Sequence, residues 1–144
     1  MITTTGNWSD VRHRLFTLQE TAGELKTLAT LPNTAQPELI GKPDERIQSV
    51  RFVADKVYVV TFLQQDPLYV IDVADAANPF IAGQVEIPGF SSLLQPLGDN
   101  VLLGFGFEEG QFKVELYDVS DPEKPASTGK ILFPGSSEAI WNYK

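Results

Sequence analysis

The chain has 144 residues, about the size of one domain, and is long enough to bury roughly 70% of the surface that its unfolded form exposes. Hydrophobic residues make up 42% and charged residues 21%, which excludes a disordered tail, and no apolar run nears the ~20 residues of a membrane-spanning helix. Net charge is −8, from 19 acidic and 11 basic residues, which speaks against binding to a phosphate backbone.

Apolar runs of four to eight residues, bounded by Gly, Pro, Asn or Asp, read as strands along the chain. Arg14 to Leu18 is the first, and residues 18–31 are assigned to strand although Leu25, Leu28 and Leu31 also fit a helical stripe. A polar loop from Asn33 to Arg46 follows. Ile47 to Phe52 is a strand ended by an Ala54-Asp55 turn. Val57 to Phe62 is continuously apolar and β-branched or aromatic, as expected of a strand covered on both faces. Leu68 to Val73 and Ile81 to Ile87 come next, the latter ending at Pro88-Gly89. The series then runs again through Ser92–Leu97, Val101–Phe107, the alternation of Phe112, Val114 and Leu116 with Lys113 and Glu115, and Thr128–Phe133. That alternation predicts a half-exposed strand with its charges in water.

The second series repeats the first. Shifted by 46, residues 72–91 fall on 118–137 with 8 identities in 20 positions, among them Asp72/Asp118, Asp75/Asp121, Pro79/Pro125 and Gly83/Gly129. Upstream the offset drops to 44, pairing Asp55 with Asp99 and Val57 with Val101, with the extra residues assigned to the loop Glu108–Gln111. A weaker copy precedes both, Leu31-Pro32-Asn33 matching Ile87-Pro88-Gly89. A repeat of 40–50 residues with four short strands has the dimensions of a β-propeller blade, and such a sheet buries both faces only by stacking on others. The division is a partial blade at 1–46, blades at 47–90 and 91–136, and the start of another at 137–144. The expected class is therefore all-β, with antiparallel four-stranded blades in an incomplete propeller. Three blades do not close a ring, so the reading is a piece of a larger propeller, or a chain that forms a homodimer through open blade edges.

Segments such as Ile47-Gln48-Ser49-Val50-Arg51-Phe52, Asp66-Pro67-Leu68-Tyr69-Val70-Ile71-Asp72 and Leu116-Tyr117-Asp118-Val119-Ser120-Asp121-Pro122 resemble the bacterial secreted proteins with a C-terminal β-propeller distantly related to WD repeats. So do Ile87-Pro88-Gly89-Phe90-Ser91 and the ending Ser136-Ser137-Glu138-Ala139-Ile140-Trp141. The resemblance implies an exported or surface-anchored protein without an established activity. This chain is shorter than a whole propeller, and no basic stretch precedes an apolar one at Met1.

Candidate chemistry is sparse. Zero cysteines exclude disulfides, thiolate metal sites and cysteine nucleophiles. The single histidine, His13, reads as a surface residue between two arginines and rules out a two-histidine metal site within one chain. Asp72, Asp75, Asp118 and Asp121 suit turn capping better than calcium, because Ala74, Ala76 and Ala77 bring no side-chain oxygens. Gly104-Phe105-Gly106 lacks the third glycine of a dinucleotide loop, and Gly89-Phe90-Ser91 and Gly135-Ser136-Ser137 lack the second glycine of a nucleophile elbow. Glu108, Glu109, Glu115 and Asp66 are expected as solvated loop charges. Phe90, Phe105, Phe107, Trp141 and Tyr143 are expected in the core, and Asn7-Trp8-Ser9 matches a glycosylation acceptor. No catalytic, cofactor-binding or metal-binding residue and no cofactor is assigned. Two functions follow: a non-catalytic module binding a protein or carbohydrate partner, or part of a propeller hydrolase with carboxylates converging near Ser49, Thr61 or Gln95.

Overall fold

A computed structural model describes residues 1–6, 11–62 and 66–134, with Asp66 described by its backbone alone. Eleven strands and no helix are present among them. Sheet 1 is β1 (Ile2–Thr5), β2 (Arg12–Thr21) and β3 (Glu24–Leu31) in that order. Sheet 2 is β4 (Arg46–Val53), β5 (Lys56–Phe62), β6 (Asp66–Asp72) and β7 (Phe80–Ile87). Sheet 3 is β8 (Phe90–Pro96), β9 (Val101–Glu108), β10 (Gln111–Asp118) and β11 (Ala126–Phe133). Every pairing is antiparallel and joins neighbours in sequence, a meander repeated from sheet to sheet. Residues 18–31 are strand, broken by a turn at Ala22 and Gly23, both with positive φ.

The sheets stack in chain order. Val57, Val59, Tyr69 and Ile71 of sheet 2 pack with Leu15 and Leu31 of sheet 1, while Tyr58, Val60, Leu68 and Val70 face Leu94, Leu102 and Tyr117 of sheet 3. Alternate residues of β5 thus serve two cores, which is why Val57–Val60 is an unbroken apolar and aromatic run.

Strand register corrects the sequence alignment upstream of Leu68. Val57 pairs with Ile71, and Leu102 pairs with Tyr117. Because Ile71 and Tyr117 match at the 46-residue spacing, the counterpart of Val57 is Leu102, not Val101. One extra residue lies in the β8–β9 turn and one in the β9–β10 turn, rather than both in the latter. In a strand a slip of one residue turns every side chain to the other face, so the distinction decides which residues meet.

Candidate functional site

Among the described residues, the polar side chains that the sheets enclose form two separate clusters. In the first, His13 of β2 lies between sheets 1 and 2 and is only 4% exposed, contrary to its expected place at the surface. Alternation along β2 sends it inward with Leu15, while Arg12 and Arg14 point out. Its Nε2 donates to the Glu45 carbonyl oxygen at 2.8 Å, since a carbonyl only accepts, and Nδ1 meets the Thr4 hydroxyl at 2.9 Å. The Glu45 carboxylate is also buried, and accepts from the Thr61 hydroxyl at 2.6 Å and the Lys42 backbone N–H at 2.8 Å. Gly41, at φ +86°, makes room for this cluster: a Cβ there would press on His13 and Thr61. Nearby, burial first and the Glu45 and Glu38 charges next push the Tyr69 hydroxyl up to about 12.

The second cluster lies on the face of sheet 3 that meets sheet 2. The alternation foreseen for β10 is present with its polarity inverted: Lys113 is 0% and Glu115 1% exposed, while Leu116 is in water. Lys113 Nζ donates to the Pro88 carbonyl at 2.6 Å and pairs with Glu115 Oε2 at 2.9 Å. Tyr117 donates its hydroxyl to the same oxygen at 2.8 Å, so the Ser91 hydroxyl at 3.0 Å must donate to Tyr117. Ser127 donates to the other carboxylate oxygen at 2.6 Å. Burial pushes the Glu115 carboxyl up, but Ser127, Lys113 and Tyr117 outweigh it and hold it below its ordinary value. Ser91 of the Gly89-Phe90-Ser91 segment is thus a buried hydrogen-bonding residue.

The other candidates separate cleanly. Asp72, Asp75, Asp118 and Asp121 each accept the backbone N–H two residues on, as turn capping requires. Asp75 takes a further bond from Asn78, and its carboxyl is held low by that bond first. Gly104 and Gly106 lie in β9 with Ser91, Tyr117 and the Phe90 backbone where side chains would be, so they are packing glycines. Glu108 pairs with Lys130 at 2.7 Å, and Glu109 is exposed at the β9–β10 turn. Phe90, Phe107, Phe112 and Phe133 are cross-strand neighbours and make one aromatic row over sheet 3, with ring centroids 5.9–6.2 Å apart. Phe62 continues it into sheet 2 at 5.0 Å. Phe62, Phe90 and Phe107, with Gly89, Glu108 and Glu109, line an open cleft of about 390 Å³. Near Thr61 a carboxylate is in reach, that of Glu45, whereas Gln95 is exposed and among the described residues reaches only the Pro96 carbonyl. The glycosylation sequence, Gly135-Ser136-Ser137, Trp141, Tyr143 and residues 137–144 lie outside the described residues.

The repeated four-strand meander and the stacking of its faces match what comparison shows. A family model described as a beta propeller domain matches residues 1–144. The chain belongs to the beta propeller domain family. It is 43% identical over 112 residues to an uncharacterized protein of Archaeoglobus fulgidus, covering 74% of this chain and 18% of that one. It is 42% identical over 87 residues to an uncharacterized protein of Methanocaldococcus jannaschii, covering 60% of this chain and 14% of that one. The propeller segment thus spans less than a fifth of the length of these relatives, and both are archaeal. No solved structure matches it.

Proposed function

We propose that the chain is a non-catalytic part of a β-propeller, serving as a binding or scaffold module. One observation carries this reading. Among the described residues the two buried carboxylates, Glu45 and Glu115, lie in different interfaces with sheet 2 between them, and each is held by its own donors. A glycoside hydrolase of the two-carboxylate kind needs two carboxyl groups facing one substrate across roughly 5–10 Å. What faces outward is the aromatic cleft at the sheet 2–sheet 3 connection and the turns around it, on a rigid support. Such a cleft suits the apolar face of a sugar or the side chains of a protein loop. The resemblance to secreted propeller proteins supports an exported or envelope location, which fractionation of cells making the full-length protein would test.

A glycan array probed with the full-length protein, as wild type and Phe90→Ala, tests the binding reading. Selective binding weakened by the substitution supports it. Turnover of chromogenic glycosides that falls in Glu45→Gln or Glu115→Gln would replace it with the hydrolase.

A further inference from the structure

We propose that the pocket where β5 and β9 begin is a sugar site, in which one uncharged sugar residue is held by the Tyr58 hydroxyl, Lys56 and the carboxylates of Asp55 and Asp99. The pocket has a volume of about 340 Å³ and opens between the β4–β5 turn, the β8–β9 turn and the β10–β11 loop. The aromatic cleft lies at the far end of the same interface between sheets 2 and 3, where β5 and β9 finish, so the two are separate.

Tyr58 marks this pocket as more than a gap between turns. Its side chain is only 3% exposed and lines the pocket, yet its hydroxyl has no hydrogen-bond partner among the described residues. The Lys56 and Asp55 charges both act on that hydroxyl, which places it toward the polar part of the lining. Burial first pushes it above its ordinary value, so it keeps its proton and can donate. A buried polar group without a partner is costly, and the fold does not ask for this one. Tyr58 pairs with Val70 and Leu103 with Leu116, so at the 46-residue spacing Leu103 fills the place of Tyr58 in sheet 3. By the same register Val101 stands where Lys56 does. Two positions that sheet 3 fills with apolar residues thus carry a hydroxyl and an ammonium in sheet 2.

The chemistry of the lining selects the ligand. Lys56 Nζ is shared between Asp55 Oδ1 and Asp72 Oδ2 at 3.1 Å each, which leaves the third N–H of the ammonium without a partner among the described residues. Burial lowers its pKa, but the bonds to Asp72 and Asp55 outweigh that and hold it raised, so the donor persists. The Asp99 carboxylate makes no hydrogen bond or ion pair among the described residues, and the Asn100 amide brings a donor and an acceptor. Sugar hydroxyls, each a donor and an acceptor, use both kinds of group. An anion would meet Asp55, Asp72 and Asp99 against the Lys56 ammonium, and a cation would meet that ammonium directly. Val53, Val119 and Pro122 supply apolar wall for the C–H face of a ring. A volume of about 340 Å³ is at the small end of ligand pockets and suits one ring.

Saturation-transfer NMR of the full-length protein with glucose, galactose, mannose and N-acetylglucosamine tests the site. At least one of the four binds. Tyr58→Phe keeps the ring and weakens that sugar roughly five- to tenfold. The same variant leaves the thermal midpoint unchanged or raised, because the lost hydroxyl has no partner within the fold. Phe90→Ala leaves the sugar bound. No saturation transfer to any of the four overturns the proposal, as does equal binding in wild type and Tyr58→Phe. A lowered midpoint in Tyr58→Phe overturns it too, by making the hydroxyl structural. Binding lost in Phe90→Ala but kept in Tyr58→Phe moves the sugar to the aromatic cleft, which overturns this site and leaves the binding-module reading standing. Tighter binding of glucosamine or glucuronate than of every neutral sugar overturns the choice of an uncharged ligand.

Discussion

Glu115→Gln tests whether the buried network between sheets 2 and 3 holds them together. Wild-type Glu115 accepts from Lys113 at 2.9 Å, Tyr117 at 2.8 Å and Ser127 at 2.6 Å. The amide keeps one acceptor oxygen, turns a donor toward partners that also donate, and leaves the 0%-exposed Lys113 ammonium without its counter-charge. Breaking a buried ion pair from one side costs about 3–5 kcal/mol. With a urea m-value near 2 kcal/mol/M, the unfolding midpoint falls by about 2 M. The double variant Lys113→Met/Glu115→Leu removes both charges, and apolar replacement of a whole pair is commonly neutral or better. Tyr117 keeps Ser91, so the double variant should sit within about 2 kcal/mol of wild type and far above the single one. Urea unfolding of wild type, Lys113→Met, Glu115→Leu and the double variant gives the coupling. A Glu115→Gln loss under about 1 kcal/mol, or a double variant as unstable as the summed singles, would refute the reasoning.

Three further outcomes follow from the same geometry. Gly83→Ala drives a methyl group into the Pro122 carbonyl and should cost about 1–3 kcal/mol, whereas Gly129→Ala in the 144-residue chain should be neutral or stabilising by up to ~1 kcal/mol; melting curves of the pair separate them. Thr61→Val keeps shape but removes one of two donors from the buried Glu45 carboxylate, for a loss of about 1–3 kcal/mol in denaturant titration. The Glu115 carboxyl is held below its unfolded value, so the folded state binds fewer protons there. Its contribution is complete above the ordinary carboxyl range and is lost as pH falls through the folded value; Glu115→Gln should flatten that acid limb in stability measured against pH.

The repeat carried most of the fold. Asp72 and Asp118 cap turns and Gly83 is a packing glycine, and the 46-residue spacing of Asp72/Asp118, Gly83/Gly129 and Pro88/Pro134 marks the meander without any long-range information. The doubly covered β5 was legible because no residue from Val57 to Val60 is polar enough for water. The polar clusters were not legible. Lys113 and Glu115 read as the wet side of β10, since nothing local reveals that Ser127 of β11 and the Pro88 carbonyl of the β7–β8 connection converge on them beside Tyr117 of their own strand. His13 misled for the same reason: its flanking arginines describe the opposite face of the strand. Charge in the sequence sets a preference for water, and partners contributed by distant strands overrule it.

Stacked copies of one repeat have apolar faces that resemble one another, so shape alone does little to order them. The polar clusters differ where the faces do not. At the positions of Lys113, Glu115 and Tyr117 in sheet 3, sheet 2 has Pro67, Tyr69 and Ile71. The connection from sheet 1 into β4 brings the Glu45 carboxylate to this side of sheet 2, close enough to act on Tyr69. A back face like that of sheet 3 would set a second buried carboxylate against Glu45, and like charges out of water repel strongly. Tyr69→Glu imitates that wrong neighbour. It should destabilise the chain well beyond Tyr69→Leu at neutral pH, because the introduced carboxyl must either charge beside Glu45 or bind a proton. Its folded value then lies above its unfolded one, so the extra loss shrinks as the pH drops below about 5 and the unfolded chain protonates too. If the two variants differ equally at both pH values, volume and not charge discriminates between the faces, and the polar clusters do not set the order of the sheets.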